Sequence, residues 1–317
     1  MAQEDNRLPL VVLTGPTAVG KTSLSIRLAE QIGGEIISAD SMQVYRHMDI
    51  GSAKVTREEM RGIAHHLIDV LEPEESFNVT VFQRLARQAV KDICSRGRIP
   101  ILAGGTGFYI QALLYEIDFT QTKEDGALRA RLEEIAARQG PEELHRMLAQ
   151  ADPQAARQIH PHNVKRVVRA LEYLAQTGEA ISAHNEREKK KPAAYRSLYF
   201  VLTDAREAIY ARIDRRVDEM LKAGLVEEVR ALKERGLTKD MVSMQGLGYR
   251  QILSHLDGEY DLDRAVYLIK RDTRHFAKRQ LTWFSREKQV CWVDRRDFEN
   301  EDRILDFLVR QIKEKIG

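Results

Sequence analysis

Leu10-Val11-Val12-Leu13-Thr14-Gly15-Pro16-Thr17-Ala18-Val19-Gly20-Lys21-Thr22 is the stretch that decides the fold. A short apolar run with the composition of a buried strand enters a glycine-rich turn, and a helical pattern over residues 22–31 follows. From Gly15 to Thr22 the turn matches G-x-x-x-x-G-K-[ST] in full, and it sits between the strand and helix that its mechanism demands. Glycines let the backbone curl so that successive N–H groups meet an anion, and the helix N-terminus adds its dipole. Lys21 would neutralise phosphate oxygens and the Thr22 hydroxyl would face Mg2+. The expected ligand is a phosphate or diphosphate, and the motif alone says little about what it is attached to.

Outward from there, residues 34–38 read as a second strand ending in Ala39-Asp40-Ser41, and residues 66–70 as a third. A helix over 79–96 leads into a strand at 98–102, which opens onto Gly104-Gly105-Thr106-Gly107. Runs at 198–202 and 290–293 add two more strands. Strands separated by helices predict an α/β, doubly wound parallel sheet of the P-loop NTPase-like kind. Residues 124–191 carry no strand pattern. Val164, Val167, Val168, Leu171 and Leu174 instead mark one helix face, with Asn163 as N-cap and Gly178 just past the end. The expected organisation is a first core part (1–120), an all-helical insertion (121–193) and a second core part (194–317), with long helices over 204–235 and 263–286.

Composition narrows the function classes. Fifty Lys and Arg against 48 Asp and Glu leave a net charge of +2, so any nucleic-acid surface must come from local clustering. Two cysteines exclude a disulfide scaffold and a four-Cys zinc site. No apolar run reaches the roughly 20 residues of a membrane span, and the polar N-terminus does not read as a signal peptide, so a cytoplasmic protein is expected. The histidines show no zinc-ligand spacing.

In a parallel sheet the site lies beyond the carboxyl ends of the strands, which is where Asp40 falls. Its carboxylate could hold Mg2+ through water or accept a proton from a nucleophile, and equally it could cap the next turn. The strand at 98–102 ends in small residues instead of the acid that serves the metal in nucleotide hydrolases, which weakens an ATPase reading and suggests room for something flat. Two basic clusters stand out: Lys165, Arg166 and Arg169 on one helix, and residues 270–288, with seven Lys and Arg against Asp272 and Glu287. Phe276, Trp283 and Phe284 are interleaved in the second. Such clusters suit a structured RNA, while a solvated helix face with its aromatics turned inward is the plainer alternative. Arg206, Arg212, Arg215 and Arg216 stud one helix, from which one guanidinium could reach back to clamp a leaving group.

Taken together, Gly15–Thr22, Ile37-Ser38-Ala39-Asp40-Ser41-Met42-Gln43-Val44-Tyr45, Gly104–Tyr109, Arg169-Ala170-Leu171-Glu172, Gly246-Leu247-Gly248-Tyr249-Arg250 and Ala277-Lys278-Arg279-Gln280 with Trp283 resemble the tRNA dimethylallyltransferases. The pieces run in the expected order from about Leu10 to Asp294, and the set is far more specific than any member. The resemblance implies transfer of a dimethylallyl group from dimethylallyl diphosphate to N6 of adenine 37, in tRNAs that read codons starting with U. It implies Gly15, Pro16, Thr17, Ala18, Val19, Gly20, Lys21 and Thr22 around the donor diphosphate, with Mg2+ on Thr22. It gives Asp40 the role of general base, and Thr17 and Arg216 that of donors to the departing diphosphate. It also implies tRNA contacts at Asp40, Ser41, Met42, Gln43, Thr106, Arg129, Lys165, Arg166, Val167, Val168, Arg169, Gln245, Gly246, Leu247, Gly248, Tyr249 and Arg250. The partners so implied are the tRNA anticodon stem-loop and the prenyl donor, with no membrane and a monomeric enzyme. The absence of a cysteine beyond Cys291 resembles the shorter bacterial form, without the C-terminal zinc finger of some relatives. Prenyl transfer to free AMP, ADP or ATP, a P-loop small-metabolite kinase, and a non-enzymatic RNA-binding protein are the rival readings.

Overall fold

Residues 6–119 and 126–316 are described in a computed structural model of the chain. Six parallel strands form one sheet in the order β3-β2-β4-β1-β5-β6. They are β1 (Pro9–Thr14), β2 (Gly34–Ala39), β3 (His65–His66), β4 (Ile99–Gly104), β5 (Arg196–Thr203) and β6 (Cys291–Asp294). Leu10 and Val12 face one hydrophobic cluster while Val11 and Leu13 face another, and all four are fully buried. That period-2 division explains why the deciding stretch is apolar throughout: both faces of a doubly wound sheet are covered. Helices α1 (Lys21–Ile32) and α13 (Glu301–Lys315) cover one face through Leu24, Leu28, Leu308 and Ile312. On the other lie α2 (Val79–Ser95) and α3 (Gly107–Leu114), with Phe82, Val90, Ile110 and Leu113 in the core. Each such side chain contributes about 1.5–3 kcal/mol on burial.

The strand register sets the site. Thr14 of β1 and Ala39 of β2 both pair with Gly104 of β4. The turns beginning at Gly15, Asp40 and Gly105 therefore leave the sheet at one level, side by side.

The chain divides into two compact units, one of residues 117–192 and one of the remainder. The expected boundary at 121 lies outside the described residues. The smaller unit holds five helices among the described residues: α4 (Gly126–Gln139), α5 (Pro141–Ala151), α6 (Pro153–Gln158), α7 (Val164–Thr177) and α8 (Ile181–Glu188). Leu132, Leu144, Leu148, Val167, Val168 and Ala170 form its own core. In the larger unit, the segments flanking this insertion meet where the Ala194 amide donates to the Leu114 carbonyl at 2.7 Å.

Several elements depart from expectation. The third strand is only His65–His66, because Leu67 and Asp69 adopt positive φ (63° and 54°) and turn the chain out of the sheet. The helix expected over 204–235 is two, α9 (Arg206–Lys222) and α10 (Leu225–Glu234), separated at Gly224 with φ of 101°. Asn163 precedes α7 without a side-chain capping bond, whereas Gly178 closes that helix in the left-handed conformation. A short turn at Ser243–Gln245 then leads to α11 (Tyr249–Leu256) and α12 (Leu262–Phe284). No described helix is long and apolar enough to cross a membrane.

Candidate active site

The phosphate loop is held open by its own geometry and by cations behind it. Gly20, at the N-cap of α1, has φ of 97°, which a side chain would strain, and Ala18 also lies at positive φ. Lys21 Nζ donates to the carbonyls of Gly15 (3.0 Å) and Pro16 (2.8 Å). Arg212 Nε donates to the Ala18 carbonyl (2.7 Å) and Arg295 Nη1 to that of Val19 (3.4 Å). Asp204 and Glu301 pair these two arginines in turn. With four carbonyls engaged by cations, the amides at the N-terminus of α1 face the space left for an anion. Burial, then the neighbouring Arg216, pulls Lys21 down to about 7, with Asp40 opposing.

Asp40 caps the next turn, the plainer of the readings drawn from its position. Its Oδ1 accepts from the amides of Met42 (2.8 Å) and Gln43 (3.4 Å), capping the turn after β2. Burial raises its carboxyl above the usual range, while the two amides, Lys21 and Arg216 pull the other way. It retains some contact with solvent although protein surrounds it on most sides. Arg216, on α9, donates to Thr17 Oγ1 at 3.5 Å and feels the field of Asp40. Thr17, Lys21, Asp40 and Arg216, from three separate stretches of chain, thus meet beyond the carboxyl ends of the strands.

The glycines after β4 make room for α12, which corrects the expectation of open space there. A Cβ on Gly105 would stand 2.2 Å from Gln280 Nε2, and one on Gly107 would stand 2.2 Å from the Trp283 ring. Thr106 heads α3, its amide on the Ala39 carbonyl (3.2 Å). Opposite lies the 245–250 segment. A Cβ on Gly246 would stand 2.6 Å from Met42 Cε, and the Tyr249 ring fills the space beside Gly51. The Glu228 carboxylate accepts from the amides of Asp49 (2.9 Å), Ile50 (2.8 Å) and Gly51 (3.0 Å) and from the Tyr249 hydroxyl (2.8 Å). One side chain of α10 therefore ties the loop after Asp40 to α11. Ser41, Met42, Gln43 and Leu247 are partly exposed, Gln245 and Arg250 exposed, and Gly246, Gly248 and Tyr249 buried. Tyr249, expected at the RNA, spends its hydroxyl on Glu228 and acts as packing.

In the helical unit, Lys165, Arg166 and Arg169 lie on the exposed side of α7. Val167 and Val168 are 0% and 2% exposed, so their side chains build the unit's core and offer no contact surface. Arg129 grips the buried Glu172 through both carboxylate oxygens (3.0 and 2.8 Å). The 270–288 cluster is less free than its count suggests: Lys270 pairs with Asp218, Arg271 with Asp272 and Arg274 with Asp214. Lys278, Arg279, Arg286 and Lys288 are exposed. Phe284 is in the core and Trp283 packs on Phe108, so the inward-turned reading holds for these aromatics.

No group of three or more His, Cys, Asp or Glu that could hold a metal exists among the described residues. Mg2+ does not need such a cage, since it keeps several waters and takes one or two protein oxygens beside phosphate oxygens. The exposed Thr22 hydroxyl at the mouth of the loop suits that donor set.

Arg295 and Glu228 had no sequence signal, and the spacing around Arg212 and Gln280 did not reveal their partners, because these are mostly backbone atoms brought close by folding. A family model described as IPP transferase matches residues 43–287. A tRNA dimethylallyltransferase of Lachnoclostridium phytofermentans is 57% identical over 307 residues, covering 97% of this chain and 98% of that one. One from Acetivibrio thermocellus is 48% identical, covering 93% and 95%. The solved full-length tRNA isopentenylpyrophosphate transferase of Bacillus halodurans is 42% identical with a TM-score of 0.73, covering 98% of each chain. A eukaryotic dimethylallyltransferase acting on tRNA reaches a TM-score of 0.82 at 29% identity, covering 97% of this chain and 80% of that one.

Proposed function

Since this chain belongs to the IPP transferase family, we propose that it transfers a dimethylallyl group from dimethylallyl diphosphate to N6 of adenine 37 in tRNAs reading codons that start with U. The observation that carries the chemistry is the meeting of Asp40 with Lys21, Arg216 and Thr17: a half-buried carboxylate beside a clustered set of anion-stabilising groups.

An exocyclic adenine amine is a weak nucleophile because its lone pair is delocalised into the ring. The reaction forms a bond from N6 to the prenyl carbon, breaks that carbon's bond to the diphosphate oxygen, and sends the N6 proton to Asp40. Asp40, with Oδ1 fixed by Met42 and Gln43, orients the amine and takes its proton. The amides at the N-terminus of α1, Lys21 and Arg216 bind the diphosphate and stabilise its charge as it leaves, and Thr17 adds a hydroxyl. The proposal includes Mg2+ held by Thr22, which would neutralise part of the diphosphate charge. The target base is flipped out of the anticodon loop, at a cost of a few kcal/mol in stacking offset by protein contacts. Lys165, Arg166 and Arg169 provide cations for the tRNA backbone. The reading also makes the enzyme a monomer, working in the cytoplasm on the anticodon stem-loop.

The test is a transfer assay with purified protein, Mg2+ and labelled dimethylallyl diphosphate. It offers an unmodified tRNA with adenines at 36–38, the same tRNA with guanine at 37, and free AMP or ATP. Label on the adenine-37 tRNA alone is expected. Label on free nucleotide, or none with ATP consumed, refutes the proposal.

A further inference from the structure

We propose that Gln280 is a positioning residue that sets Thr17, and with it the phosphate loop, for the donor diphosphate. The side chain stands on α12, 6% exposed, between two turns that must be held relative to each other. Its Oε1 accepts from the Thr17 amide at 2.8 Å, and its Nε2 donates to the Gly105 carbonyl at 2.9 Å. The partners lie 263 and 175 residues away in sequence, so neither bond follows from local structure. They also fix the amide's orientation, since a backbone N–H needs the oxygen and a carbonyl needs the nitrogen.

Two features separate this arrangement from ordinary helix packing. The turn at Gly105 has closed onto the amide to a distance no side chain would tolerate. And the residue being held, Thr17, carries the hydroxyl that Arg216 approaches. An amide is the side chain that satisfies both backbone groups at once, because it presents an acceptor and a donor from one planar group. An ionised carboxylate keeps the acceptor and loses the donor, and a thioether loses both. Gln280 does not itself reach the diphosphate in this role, because its two polar atoms are already occupied.

The inference rests on the proposed function, and its test is built to fail separately. Binding of inorganic diphosphate with Mg2+ is measured by calorimetry for the wild type, Gln280→Met and Gln280→Glu, beside melting temperatures and the KM values for donor and tRNA. Gln280→Met is expected to weaken diphosphate binding about tenfold or more, because Thr17 and its loop are no longer held in the binding geometry. The donor KM should rise in step, with the tRNA KM near wild type. The lost backbone bonds lower the melting temperature in Gln280→Met and Gln280→Glu alike, and only the latter regains affinity as pH falls. Gln280→Glu should recover activity relative to wild type as pH falls, because the protonated acid regains a donor for Gly105. Unchanged diphosphate affinity in both variants, or losses that follow the melting temperature with no pH-dependent recovery, would overturn the proposal. A wild type that binds diphosphate but transfers nothing to tRNA would sink the functional reading and leave the Gln280 comparison intact.

Discussion

Asp40 caps its turn and, on the proposed function, also takes the N6 proton, and different substitutions can separate the two tasks. Asn at this position keeps an oxygen for the amides of Met42 and Gln43 and removes the base, whereas Ala removes both. A general base contributes about 10²–10⁴ in rate. At 1.36 kcal/mol per decade this corresponds to a barrier about 3–5 kcal/mol higher in either variant. Stability should separate them: losing the turn bonds costs about 1 kcal/mol in Asp40→Ala and little in Asp40→Asn. The assay is single-turnover transfer at saturating donor and tRNA, with tRNA affinity followed by anisotropy and unfolding by urea. The pH dependence supplies a second readout. Burial lifts the Asp40 carboxyl above its ordinary value of 3.8, so the base is lost as pH falls through a higher range than for an exposed carboxylate. kcat/KM should therefore fall with unit slope on the acid side, and Asp40→Asn should lose that limb. If Asp40→Asn keeps a tenth of the wild-type rate, or its acid limb persists, Asp40 is not the base.

Glu228→Gln sets an NH2 group against backbone N–H donors. We expect about 2–3 kcal/mol of lost stability in urea, together with a higher tRNA KM as the loop after Asp40 loosens from Tyr249. Lys165→Ala with Arg166→Ala should raise the tRNA KM and reduce the slope of log affinity against log salt by about 0.7–0.9 for each RNA phosphate that is no longer neutralised. An unchanged slope would make that side of α7 a solvated face. The Glu35 carboxylate is buried among Arg96, His66 and Arg98 and held down at about 2, chiefly by its bond from Arg96. Its folded pKa lies below its unfolded value of 4.5, so its contribution is complete above 4.5 and is lost as pH falls toward 2. Glu35→Gln should lower stability by about 2 kcal/mol at neutral pH and flatten the acid unfolding profile in that window.

The phosphate loop and Asp40 were legible because each is a local pattern placed by a strand end, and strand order puts such ends together. The core was legible for the same reason: Leu10–Leu13 is continuous apolar sequence, and a two-sided sheet needs it. Glu228 was not, and Gln280 was legible only as a motif member without a role, since bonds to distant backbone groups leave no spacing to detect. Residues 66–70 misled because apolar character suggested a strand, while positive φ at Leu67 and Asp69 answers to tertiary packing. Val167 and Val168 stand beside Lys165, Arg166 and Arg169 in sequence, but a helix turns neighbours to opposite sides, and burial separates them.

The hydrogen bond between Ala194 and Leu114 brings the two ends of the inserted stretch to one point. Because the entropy of closing a loop grows only slowly with its length, the sheet joined at this point should tolerate large changes in the length of the 117–192 excursion. Deleting it with a short splice should leave a soluble sheet that still captures inorganic diphosphate.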